Sequence, residues 1–184
     1  MIAIPYTFMN IFITACWILA RAMTYTRTRE FSLKREAQLI LVYICIMVVA
    51  RITLFPMELR DGHVQPLLFS LEKMLPPRLN LLPLVNILNY ETLWESRINI
   101  IGNITMFIPI GVIFPAVYKK TLNTPGKAIA AGALFSLTIE TLQLFFFERM
   151  TDVDDLILNT LGYVIGYGLY LLAKKLFKDK KEAS

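Results

Sequence analysis

Three carboxylates and several amides crowd into two short stretches of this 184-residue chain. Ser136, Glu140 and Gln143 share one face of an apolar, helix-length run, while Asp152, Asp155 and Asn159 share another at spacings of three and four. Between the runs lies a charged loop, Glu148-Arg149-Met150-Thr151-Asp152-Val153-Asp154-Asp155, too short for a domain and too charged for lipid. Asn99 and Asn103, four apart, open a third apolar run. Such side chains can act as a general base, ligate a hard divalent cation through oxygen, or hydrogen-bond a polar ligand. Charge in or beside a bilayer is costly, and residues placed there generally serve a function.

Simpler roles compete at each position. Asp152, Asp154 and Asp155 can cap the helix that follows them, because acids stabilise a helix N-terminus. Asn99 and Asn103 can hold helices together. Arg51, about five residues or roughly 7–8 Å from the end of its run, can snorkel to headgroups. Glu140 is too deep for capping or snorkelling. A charge at the centre of an isolated membrane helix costs roughly 2.5–3.5 kcal/mol. An ion pair or a wet polar pocket is therefore expected for Arg51 and Glu140, with Arg149 a second cation nearby. Tyr163, Tyr167 and Tyr170 read as packing and interfacial residues.

The elements that must position these groups are membrane helices. Hydrophobic residues make up 56% of the chain and charged ones only 18%, with a mean hydropathy of +0.55. Five stretches, near 4–23, 37–56, 98–118, 127–147 and 156–177, are long enough to span about 30 Å of hydrocarbon. An all-α, polytopic membrane helical bundle forming one membrane domain over 1–184 is the expected architecture. The first run is an uncleaved helix rather than a secretory signal, because Arg21, Arg27 and Arg29 follow it and no basic residue precedes Ile18. Cys16 and Cys45 fall within expected helices and His63 on a loop, so neither a zinc site nor a Ser/His/Asp triad is expected.

Charge orients the spans. Thirteen of the 19 basic residues lie around 21–36, 119–127 and in the tail after 173, where four acids leave a net +9. The intervening loops carry five basic residues against nine acids, a net −4. The positive-inside rule places the N-terminus outside and the C-terminus in the cytoplasm. The lysine-rich tail suits anionic lipid rather than nucleic acid. The segment 57–97, with Pro66, Pro76, Pro77 and Pro83 among leucines, is expected as short interfacial or re-entrant pieces forming a lid over the polar residues.

The ordered motifs resemble a known family. They are Asn80-Leu81-Leu82-Pro83, Asn99-Ile100-Ile101-Gly102-Asn103 leading to Phe107-Ile108-Pro109-Ile110-Gly111, and Ser136 to Gln143 with Glu140. Arg149, Asp152, Asp155, Asn159 and Gly162 follow, and Thr53-Leu54-Phe55-Pro56 precedes them. Together they resemble the VanZ-like family over roughly 43–170. The founding member of that family is linked to resistance to the glycopeptide teicoplanin. The resemblance implies a protein of the bacterial plasma membrane and carries over Arg51, Asn80, Asn99, Asn103, Ser136, Glu140, Gln143, Arg149, Asp152, Asp155 and Asn159 as a polar pocket. The expected ligand is a lipid headgroup, a lipid-linked cell-wall precursor or a lipoglycopeptide. The alternative is an enzyme acting on a lipid-linked substrate, with Glu140, Asp152 and Asp155 as base or as ligands of a divalent cation.

Overall fold

A computed structural model describes residues 2–56, 59–69, 79–83, 92–146 and 150–182. Among them are five helices: α1 Tyr6–Thr28, α2 Leu33–Leu54, α3 Leu93–Val117, α4 Pro125–Gln143 and α5 Val153–Glu182. Six short strands complete the described elements: β1 Ile2–Ile4, β2 Leu59–Arg60, β3 His63–Val64, β4 Leu67–Phe69, β5 Leu79–Asn80 and β6 Thr151–Asp152. α1, α2, α3 and residues 153–179 of α5 are long and apolar enough to cross a membrane. α4 is shorter, and Lys127 and Glu140 within it lower its hydropathy. The chain is an all-α membrane protein.

Helix limits follow local chemistry. α3 starts at Leu93, earlier than hydropathy alone indicates, because Thr92 accepts the Glu95 N–H at 3.2 Å as an N-cap. α1 ends at Thr28: Arg29 donates its N–H to the Tyr25 carbonyl at 2.8 Å, and its left-handed backbone (φ 56°) turns the chain out of the helix. α4 begins on Pro125, a residue suited to a first turn whose N–H has no partner.

The chain divides into two compact units. The first comprises 1–78 with 141–150. β1 pairs antiparallel with β4, Ile2 opposite Phe69 and Ile4 opposite Leu67. β2 and β3 form a hairpin whose central Asp61 and Gly62 both have positive φ, the geometry that matches strand twist. Leu54, Phe55, Leu67 and Phe146 form its core, with Ile4, Tyr6, Met9, Ala50 and Val64 packed against them. α1 has no buried residue and touches α2 through a Thr14–Tyr43 hydroxyl hydrogen bond of 2.7 Å and an Arg21–Glu36 ion pair.

The second unit comprises 79–140 with 151–184. α3 and α5 lie backbone to backbone within it. A Cβ built on Gly162 would meet the Ile104 carbonyl, and one on Gly166 the Ile108 carbonyl. These glycines let the two helices approach closely, because a bulkier residue would separate the two backbones. The described residues of 57–97 form β2 to β5 and the start of α3, so these pieces are short strands. β5 pairs in parallel with β6, Leu79 beside Thr151 and Asn80 beside Asp152.

Candidate functional site

Most of the expected polar residues belong to the second unit, where they bond to one another. Glu140, in the last turn of α4, is 2% exposed. Its Oε2 accepts the Asp152 backbone N–H at 3.0 Å, and its carbonyl accepts the Thr151 hydroxyl at 2.7 Å. This side chain therefore satisfies an N–H beside the start of α5, which would otherwise be a buried orphan donor.

Asp152 caps α5. Its Oδ1 accepts the Asp154 N–H at 3.0 Å and the Asn80 amide at 2.9 Å. The acid-at-the-cap role expected for one of these residues thus falls to Asp152. One turn further, Asp155 Oδ1 accepts the Asn103 amide at 2.5 Å, and that amide also lies 3.5 Å from Asn99 Oδ1. Asn99 and Asn103 therefore join α3 to the start of α5 through Asp155.

Below this group, antiparallel α4 and α5 meet rung by rung. Glu140 meets Asp152, the Asn159 amide donates to the Ser136 hydroxyl at 3.0 Å, and Gly132 leaves room for the Tyr163 ring. Ser136 and Tyr163 are fully buried and Asn159 is 1% exposed. On α4 the rungs fall four residues apart, about one turn or roughly 6 Å at 1.5 Å per residue, and on α5 the matching steps are two turns and then one. They form a continuous polar seam. Asn159 Oδ1 and the Tyr163 hydroxyl have no hydrogen-bond partner among the described residues.

Other expected members lie apart. Arg51 belongs to the first unit, where it donates to the Pro56 carbonyl at 3.1 Å and its guanidinium sits 5.6 Å over the Tyr6 ring. Gln143 also belongs to that unit, donating to the Thr53 carbonyl at 3.0 Å. Among the described contacts, Arg51 meets a carbonyl and a ring, and Glu140 meets a backbone amide. Arg149 lies outside the described residues.

Two further residues join the polar line. Asp154, beside the cap, is 2% exposed. Tyr163 packs as expected, its ring against Gly132, and its buried hydroxyl extends the line. Its position four residues beyond Asn159, and eight beyond Asp155, was the available signal.

Chemically, the cluster is rich in acceptors. Glu140, Asp152, Asp154 and Asp155 bring four carboxylates, held by backbone N–H groups and amides. Like charges repel, the more strongly away from bulk water. A cationic or donor-rich group is therefore favoured here over another anion. Among the described residues no group of three or more His, Cys, Asp and Glu side chains is placed to hold a metal ion.

The family model for VanZ/LLP1 matches residues 39–174, nearly three quarters of the chain. The chain belongs to the VanZ/LLP1 family. The match includes every candidate residue from Arg51 to Asn159 and leaves α1 outside. A curated relative, Protein VanZ of Enterococcus faecium, is 36% identical over 81 residues, 44% of this chain and 49% of the relative. The chain thus spans about half the length of that relative. No solved structure matches. With four apolar helices of spanning length, this VanZ/LLP1 member is a multi-pass membrane protein.

Proposed function

We propose that this chain is a bacterial plasma-membrane protein whose polar cluster, at the outer leaflet, binds a headgroup. The ligand is a lipid headgroup, a lipid-linked cell-wall precursor or a lipoglycopeptide. Membership of the VanZ/LLP1 family and the VanZ relative support a membrane protein related to teicoplanin resistance. The charge distribution supports an N-terminus outside and a cytoplasmic C-terminus, which puts the Asp152 end of α5 at the outer surface.

The observation that carries this reading is the bonded set Asn80, Asn99, Asn103, Glu140, Asp152 and Asp155 at the meeting point of three helices. Polar side chains in apolar helices that served only to hold the fold could be fewer and more scattered. Here they converge on one end of one unit, continuous with a buried seam that still has unused hydrogen-bonding capacity. Binding at this depth could alter the surface that a lipoglycopeptide must enter, without any bond being made or broken.

Ligand capture tests the reading. The full chain, extracted in mild detergent, is examined by native mass spectrometry with and without added teicoplanin. Stoichiometric retention of an envelope lipid or of teicoplanin, lost in Asp155→Leu while the protein remains folded, is the expected result. A folded chain that retains neither overturns the proposal.

A further inference from the structure

The α4–α5 seam points to a more specific ligand class than a headgroup in general. The buried polar atoms left without a partner in this unit, among the described residues, include Asn159 Oδ1, an acceptor, and the Tyr163 hydroxyl, which can accept or donate. Both residues are at least nine-tenths buried. Side chains on a helix lean toward its N-terminal end. In α5 that is the end carrying Asp155. Asp155 is itself oriented by Asn103 and retains lone pairs beyond that bond.

Charge points the same way and does not depend on any single cation. In sequence the loop 148–155 holds one basic residue, Arg149, against the acids Glu148, Asp152, Asp154 and Asp155, and Glu140 adds a fifth acid. The excess stays negative with Arg149 counted. A phosphate entering here would meet like charge. A primary ammonium brings positive charge and three N–H donors, the complement of this set.

We propose that the seam recognises a primary-amine lipid headgroup, with the ammonium entering at the Asp155 end and approaching Asn159 and Tyr163. This rests on the headgroup-binding reading above and names its ligand class. Phosphate attached to such a headgroup stays toward the membrane surface, away from the carboxylates.

The test uses the full chain reconstituted with equal amounts of phosphatidylethanolamine, phosphatidylcholine and phosphatidylglycerol, followed by counting of lipids that survive mild detergent extraction. Phosphatidylethanolamine is expected to be enriched on the order of tenfold over phosphatidylglycerol, the effect of one charge-assisted hydrogen bond. Phosphatidylcholine, cationic but without N–H donors, should fall between them. Asp155→Asn and Tyr163→Phe should both bring retention back to the bulk ratio. Tyr163→Phe keeps the ring on Gly132 and removes only the hydroxyl, so its folding is preserved.

Enrichment of phosphatidylglycerol would overturn the amine class and leave the headgroup reading standing. Retention of all three at the bulk ratio would overturn both. Phosphatidylethanolamine enrichment that survives both substitutions would show that the amine binds elsewhere.

Discussion

Glu140 and Asp152 are joined by a side-chain-to-backbone bond: the Glu140 carboxylate accepts the Asp152 N–H at 3.0 Å, from the last turn of α4 to the residue that caps α5. A single buried carboxylate thereby fixes how the chain turns between two apolar helices. The same contact brings the polar faces of α4 and α5 into register, so Ser136, one turn from Glu140, meets Asn159, two turns beyond Asp152.

Replacing Glu140 separates charge from shape. Glu140→Gln keeps an oxygen that can accept the Asp152 N–H, so the protein should fold with little loss. Glu140→Leu leaves that N–H buried without a partner, a loss of roughly 1–3 kcal/mol. Thermal unfolding in detergent measures both. Equal melting temperatures for the two variants would show that the bond does not hold the turn.

Asp152 and Asn80 should be energetically coupled. Asp152→Ala removes a helix cap, a loss of roughly 0.5–2 kcal/mol, together with the Asn80 bond. Asn80→Ala removes the latter together with the Leu82 N–H bond that Asn80 Oδ1 accepts at 3.3 Å. A double-mutant cycle should yield a coupling of about 0.5–1.5 kcal/mol. Strict additivity would place Asn80 outside the cluster in solution.

Glycine positions offer a packing test. Gly162→Leu and Gly166→Leu should sharply reduce folded protein, since even a Cβ there meets the carbonyls of Ile104 and Ile108. Gly168→Ala, with no atom within 4 Å of its Cβ, should be tolerated. Size-exclusion profiles of the three variants compare them directly. An intact Gly162→Leu protein would contradict the close α3–α5 approach.

Much of this was legible in the sequence, for identifiable reasons. The helices show through apolar runs, and the Gly162/Gly166 contact shows through a four-residue spacing that puts small residues on one face. Asn99 and Asn103 share one face, and Asp155 and Asn159 another, because three- and four-residue spacings fix which side chains share a face. What the sequence could not show was how the polar groups divide. Arg51 and Gln143 lie at depths like those of the others, yet they bond within the first unit, because pairing between distant segments depends on packing rather than periodicity. The polar use of the Tyr163 hydroxyl does not show in sequence, because tyrosine serves equally at membrane interfaces and in cores.

Topology is open to chemical labelling. With Cys16 and Cys45 replaced, a single cysteine at Met150, 48% exposed, should react with an impermeant maleimide on intact cells. One at Asn123 should react only after permeabilisation. The opposite pattern would invert the membrane orientation and move the cluster to the cytoplasmic leaflet.

The most direct test of a ligand-binding polar cluster is an experimental structure of the full chain in lipid nanodiscs. Density for a bound headgroup within hydrogen-bonding distance of Asp155, beside Asn99 and Asn103, is the predicted result. A cluster closed by its own side chains, with ordered lipid only along the apolar helix faces, would contradict it.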